Sequence, residues 1–174
     1  MFWQRPPPAI RVPFMLVGII SDTHDRVDRT HRAVERLGAA GAQHLFHCGD
    51  LTTPEIVQVC GVLPFACVLG NNDYDLTGIQ AAVEAVGGTF LDAGGVLVCG
   101  GKRFAVTHGD NARVYRLLLL AKPDYLLFGH SHHPMTERDG PTRQINPGAL
   151  HRAARYTVAL LDTEDDTVCF LEVK

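Results

Sequence analysis

Three things are scarce in this sequence: runs of Lys and Arg, closely spaced cysteines and long apolar stretches. Each scarcity excludes a class. Without a basic run, and with a net charge of −3, the chain advertises no surface for nucleic acid or anionic membrane. Nucleic acid is therefore not expected as a partner. The five cysteines (Cys48, Cys60, Cys67, Cys99, Cys169) include no C-x-x-C pair, so they read as reduced, buried thiols, not a disulfide framework. No stretch reaches the roughly 18 apolar residues of a membrane span. "FMLVGII" (Phe14 to Ile20) is too short for a signal core and runs into "SDTHD" with no small-residue cleavage site. The expected location is cytoplasmic. A phosphate substrate stays open, because bound metal cations supply positive charge that side-chain counting misses.

What is present is one domain of ordinary composition. With 46% apolar and 20% charged residues, disordered and collagen-like classes are excluded. A chain of 174 residues buries about 70% of its unfolded surface. Residues 1–13, "MFWQRPPPAIRVP", form a Pro-rich arm in which three consecutive prolines favour extended polyproline conformation. No chemistry is assigned to this arm, and a start at Met15 would place the first strand at the N-terminus. Residues 14–174 read as a single domain.

From Phe14 apolar strands and amphipathic helices alternate. Strands are expected over Phe14–Ile20, Gln43–His47, Pro64–Gly70 and Asp124–Gly129, with a hairpin over Val96–Gly109 around Gly100-Gly101. Helices are expected over Arg26–Gly41, from Thr53 (with Pro54 in the first turn), over Ile79–Gly87 and over Ala112–Ala121. The C-terminal part turns to β, at Met135–Asn146, Arg155–Thr163 and Thr167–Val173. This order predicts a layered α/β fold with more than one sheet.

The polar residues fall at the strand ends. The first strand is followed by Ser21-Asp22-Thr23-His24 and the second by Gly49-Asp50. The third is followed by Asn71-Asn72-Asp73. "FAVT" leads to His108-Gly109-Asp110, and "YLLF" to Gly129-His130-Ser131-His132. Ligands of α/β sheets bind beyond the carboxyl ends of the strands. Alone, "GNND" is a turn, because Gly, Asn and Asp tolerate positive φ. Five such ends together collect a donor set. Imidazole, carboxylate and amide oxygen without thiolate suit borderline divalent ions, not a structural zinc site. Asp22, His24, Asp50, Asn71, His108, His130 and His132 are too many donors for one ion with an open position. They suit two ions about 3.5–4 Å apart that share a carboxylate.

The ordered set Asp-x-His, Gly-Asp, Gly-Asn-x-Asp, His-Gly and Gly-His-x-His resembles the calcineurin-like metallophosphoesterase superfamily, and most closely its short bacterial and archaeal phosphodiesterase branch. The resemblance runs from about Leu16 to Gly148, and "INPGA" (Ile145 to Ala149) is similar to a loop of that branch. It implies a four-layer α/β/β/α sandwich with two mixed β-sheets. It implies that Asp22, His24 and His132 bind one ion, that Asn71, His108 and His130 bind the other, and that Asp50 bridges. The ions would be manganese first, with iron, zinc or nickel as alternatives. A bridging hydroxide would attack phosphorus in line. The resemblance also admits a homodimer.

One position departs from the family pattern. Asn72 stands where many relatives carry a histidine that contacts phosphate and protonates the leaving oxygen. An amide donates a hydrogen bond but delivers no proton. Asn72 is thus expected as a substrate-binding and catalytic residue, with Asp50 and Asp73, which would orient the missing histidine, as the other catalytic residues. This favours small phosphodiesters, or esters with acidic leaving groups, over alkyl phosphomonoesters. His133 is expected to point away from the His130/His132 pair, His47 to be a core or supporting histidine, and His31, His44 and His151 to be surface or structural. The competing reading is a non-catalytic interaction scaffold on the same fold, similar to the metallophosphoesterase-like subunit of the retromer coat.

Overall fold

The computed structural model describes residues 14–174; the Pro-rich arm lies outside the described residues. The first sheet is built from β1 (Leu16–Ile20), β2 (His44–His47), β3 (Phe65–Cys67), β4 (Thr89–Phe90), β10 (Thr157–Asp162) and β11 (Thr167–Glu172). Its order is β11-β10-β1-β2-β3-β4, with β1 to β4 parallel and the C-terminal pair antiparallel. The second sheet contains β5 (Gly94–Cys99), β6 (Lys102–Thr107), β7 (Tyr125–Leu127), β8 (Met135–Asp139) and β9 (Thr142–Asn146), in the order β5-β6-β7-β9-β8. Both sheets are mixed.

Alternate faces of the strands explain the layers. Along β1, Val17 and Ile19 point between the sheets, where they meet Phe46, Phe104, Val106, Leu127 and Leu161. Ile20 faces the other way, into a core with Ala33, Val34 and Leu37 of α1 (Val27–Ala39). The same core takes Ile56, Val57 and Cys60 of α2 (Pro54–Cys60) and Ile79, Ala82 and Val83 of α3 (Leu76–Ala85). The central strands β1, β2 and β3 are buried on both faces, which is why they read as apolar runs. α4 (Ala112–Leu120) lies on the outer face of the second sheet, where an added Cβ at Gly94 would meet Val114 and Leu118. The four-layer α/β/β/α sandwich is the observed fold.

Local details differ from the sequence expectation. Met135–Asn146 is two strands joined around Gly140-Pro141, because Gly140 takes φ +57 and turns the chain. α3 starts at Leu76, earlier than its apolar periodicity suggests, because the Asp75 side chain accepts the Gly78 N–H. Thr53 precedes α2 without making a side-chain cap bond. The short β4 pairs beside β3 and was not anticipated. Of the cysteines, Cys48, Cys60 and Cys67 are buried free thiols, but Cys99 is only partly buried and Cys169 is exposed. Among the described residues, no helix is long and apolar enough to cross a membrane.

Candidate metal centre

The parallel strands β1, β2 and β3 of one sheet and β6 and β7 of the other all end at the same edge of the sandwich. Their loops bring together six of the seven predicted ligands. Asp22, Asp50 and His108 form a buried floor, His24 and His132 are half-buried above it, and His130 lies at the exposed rim. Ligand atoms of Asp22, His24 and His132 lie within 4.8 Å of one another, as do those of Asp22, Asp50 and His108. His130 Nδ1 is 3.3 Å from His108 Nε2. Asn71 is exposed, and among the described residues its side chain makes no hydrogen bond to the cluster.

Backbone conformation concentrates here. Of the ten non-glycine residues with positive φ among the described residues, five are Asp22, His24, Asp50, His130 and His132. Left-handed conformations cost about 1–3 kcal/mol each and persist where the surroundings over-determine them, which is typical of functional sites. The neighbouring glycines serve close approach. A Cβ at Gly70 would lie 2.2 Å from Asp50 Oδ1, and one at Gly129 would lie 2.8 Å from Asp22 Oδ2. Any side chain at either position pushes a carboxylate out of the cluster.

The hydrogen bonds aim the donors inward. Asp22 Oδ2 accepts the Ser21 hydroxyl at 2.6 Å and the His130 N–H at 3.1 Å. Asp22 Oδ1 is buried with no hydrogen-bond partner, facing His132 Nε2 at 3.2 Å and His108 Nε2 at 3.9 Å. His108 Nδ1 bonds the Cys48 carbonyl at 2.8 Å, and His132 Nδ1 bonds the Arg152 carbonyl at 3.2 Å. A carbonyl only accepts, so each Nδ1 carries a hydrogen and each Nε2 is the ring nitrogen turned to the cluster. Asp50 Oδ2 lies 3.6 Å from His24 Nε2 and 3.5 Å from His108 Nε2.

Two buried carboxylates in one cluster demand positive charge. Burial alone would lower the His108 pKa, but the Asp50 and Asp22 carboxylates and the Cys48 carbonyl pull it up to about 9. Burial alone would raise that of Asp50. The His108 ring and the Asn72 N–H donors outweigh it and hold Asp50 below the usual carboxylate range. An orphaned carboxylate oxygen facing imidazole Nε2 atoms fits a divalent cation, which would take the place of the His108 proton.

Asn72 and Asp73 take positions that sequence spacing does not reveal. The Asn72 backbone N–H donates to Asp50 Oδ1 at 2.9 Å and its side-chain Nδ2 to Asp50 Oδ2 at 2.8 Å. Asp73 accepts the backbone N–H groups of Asp50 (2.9 Å), Thr52 (2.6 Å) and Gly70 (2.7 Å), tying the second and third strand-end loops together. Both side chains thus bond to Asp50 or its loop.

His47 supports the site from below, as expected. Its Nδ1 accepts the Gly49 N–H at 3.2 Å, so Nε2 carries the hydrogen and donates to Thr23 Oγ1 at 2.9 Å. Burial, with smaller contributions from His108 and His24 and against the pull of Asp50, lowers its pKa to about 3. A pKa depressed on folding leaves stability intact above the unfolded value of 6.5 and drains it as pH falls towards 3, because the unfolded chain takes the proton first. The slope is at most about 1.4 kcal/mol per pH unit for this one proton. Thermal melts between pH 7 and pH 5 should therefore fall more steeply for the wild type than for His47→Gln. Parallel profiles would remove the account.

A family model of the calcineurin-like phosphoesterase superfamily domain matches residues 15–166. The chain belongs to this superfamily. A phosphodiesterase of Methanocaldococcus jannaschii is 25% identical over 156 residues, covering 86% of this chain and 94% of that protein. A probable metallophosphoesterase of Methanothermobacter thermautotrophicus is 31% identical over 138 residues, covering 78% and 77%. Among solved structures, that of an archaeal phosphodiesterase superposes with TM-score 0.84 at 23% identity, covering 91% of this chain and all of the other. Vps29 from Entamoeba histolytica shares the fold at TM-score 0.62 and 19% identity, covering 91% and 98%. Superfamily members use divalent metals, and this chain holds the corresponding Asp/His cluster.

His151 lies at this phosphoesterase cluster too, although the sequence reading placed it with surface or structural histidines. Its ring centroid is 4.4 Å from that of His24. The available signal was its place two residues after the "INPGA" loop. No spacing rule links that position to the Asp-x-His end of β1, so only the tertiary contact shows it.

Proposed function

We propose that the protein is a binuclear metal-dependent phosphodiesterase. The observation that carries this reading is the buried, unpartnered Asp22 Oδ1 at the convergence of the His132 and His108 Nε2 atoms. Membership of the superfamily and the printed activity of the M. jannaschii relative support it. On this reading Asp22, His24 and His132 hold one ion, and Asn71, His108 and His130 hold the other. Asp50, with a buried carboxylate between His24 and His108, bridges. Asn71 reaches its ion by turning its amide oxygen in from the rim. When bound, the ions supply Lewis acidity for the attacking water and neutralise charge on the phosphoryl oxygens. Manganese is the first choice, with iron, zinc or nickel suited to the same donors.

The chain's own residues do the rest. Ser21 and the His130 N–H fix one oxygen of Asp22 so that the other faces inward. The Cys48 and Arg152 carbonyls hold His108 and His132 in the tautomer that presents Nε2. Asp73 sets the spacing between the Asp50 and Asn71 loops. No side chain of the Gly70–Asp73 turn can protonate a poor leaving group, because Asn72 is an amide and the Asp73 carboxylate is taken up by backbone N–H groups. Small diesters with acidic leaving groups are therefore the favoured substrates.

The test is hydrolysis of an aryl phosphodiester by metal-depleted protein reloaded with Mn²⁺, Fe²⁺, Zn²⁺ or Ni²⁺. Turnover restored by at least one of these ions is expected. No turnover with any of them, in protein that binds the metals, would sink the enzyme reading and favour the scaffold.

A further inference from the structure

The loop after β9 is bolted to the cluster from several sides. Asn146 Nδ2 donates to the Gly129 carbonyl at 2.8 Å and to Ser131 Oγ at 3.1 Å, while its Oδ1 accepts the Gly148 N–H at 2.9 Å. The Leu150 N–H donates to the Asp22 carbonyl at 3.2 Å, and Arg29 donates to the Leu150 carbonyl at 2.6 Å. The Arg152 carbonyl, from a residue with φ +47, takes the His132 Nδ1 hydrogen. His151 is thus held between two anchored neighbours, half-buried and beside His24.

Its tautomer follows from its partner. Arg26 Nε donates to His151 Nδ1 at 3.3 Å. A guanidinium has no acceptor, so Nδ1 is the bare nitrogen and Nε2 carries the hydrogen. Arg26 Nε also lies 3.4 Å from Asp25 Oδ1. The Asn72 amide is engaged by Asp50, and among the described residues His151 bonds only through Nδ1, leaving Nε2–H as a donor on a ring beside His24. His151 lies outside both converging donor groups.

We propose that His151 is a phosphate-contacting residue. Its Nε2–H donates a hydrogen bond to an oxygen of the phosphate group held at the Asp22/His24/His132 end of the cluster, and Arg26 is the positioning residue that fixes the donating tautomer. This places a donor on the loop after β9, opposite the Gly70–Asp73 turn where many superfamily members carry theirs. The inference rests on the binuclear phosphodiesterase reading for the chemistry of its ligand.

The full-length, Mn²⁺-loaded protein is titrated calorimetrically with inorganic phosphate, in wild type, His151→Ala, His151→Gln and Arg26→Gln. Metal content is measured for each, and KM and kcat are measured on an aryl diester. His151→Ala should keep its metal and its melting temperature and weaken phosphate binding about 10- to 100-fold, the weight of a hydrogen bond to a charged group. His151→Gln, whose amide can donate in the same direction, should recover most of that loss, and Arg26→Gln should fall between. KM should rise more than kcat falls. Phosphate affinity unchanged within twofold in His151→Ala overturns the proposal. So does loss of metal in that variant, which would make His151 a ligand. A wild type that binds phosphate through His151 yet cleaves no diester refutes the phosphodiesterase reading and leaves the contact standing.

Discussion

Asp50→Asn is expected to lower metal-dependent diester hydrolysis by at least about 10³-fold, several kcal/mol of transition-state stabilisation at 1.36 kcal/mol per tenfold. The substitution keeps the size of the side chain, removes its charge and costs one of the two acceptors that Asn72 uses. Asparagine matches the size of aspartate and tolerates the φ of +58 found at this position. The backbone bonds that Asp50 makes with Asp73 and His24 do not involve its side chain. What disappears is one of only two carboxylates in the buried floor, the one flanked by His24 and His108. Metal content should fall with activity, while the fold survives and the metal-free protein melts somewhat lower, because His108 and Asn72 lose the carboxylate they stabilise. Variant protein with full metal occupancy and kcat/KM within tenfold of wild type would show that Asp50 is not the bridge.

Asn72→His is the second large effect, and it acts on selectivity. Phosphomonoesterase activity should rise relative to diesterase activity by about 10²-fold, the lower end of what general-acid help contributes. The lower end is chosen because of Asp73. In the present structure three backbone N–H groups occupy its carboxylate, leaving little capacity to orient an imidazole at position 72. The Asn72 backbone N–H bond to Asp50 Oδ1 is available to any residue, so the turn itself should hold. Removing the amide frees Asp50 Oδ2 of one donor and gives the turn a group that can deliver a proton. Parallel measurements on an aryl monoester, an alkyl monoester and an aryl diester decide the matter. A ratio unchanged from wild type would show that this position does not govern leaving-group choice.

The two histidines that sequence reading treated as secondary came out differently. His47 is the supporting residue it was read as, because a histidine closing a buried strand must satisfy both ring nitrogens locally. His151 is not legible in this way, since a residue three places past a Pro-Gly turn has no pattern that announces a neighbour 127 positions earlier in the chain. Asn72 and Asp73 show the same limit. Their identities were legible and so was their chemistry, but the hydrogen bonds that turn both toward Asp50 depend on how the β2 and β3 loops pack.

What the sequence determined by itself was the alternation of apolar strands and helices and the candidate donor set Asp22, His24, Asp50, Asn71, His108, His130 and His132; the four layers came only through the resemblance. The alternation and the candidate set follow from local chemistry: apolar runs seek burial, and polar residues that end several such runs in parallel strands share one edge. Tertiary structure alone decided which donors lie deep, with Asp22, Asp50 and His108 in the floor and His130 and Asn71 at the rim. It alone left Asp22 Oδ1 without a partner and set His151 against His24. The reason is physical. A residue's type and its place on a strand are set within a few neighbours, whereas burial, tautomer and charge balance are set by groups that only folding brings within hydrogen-bond reach.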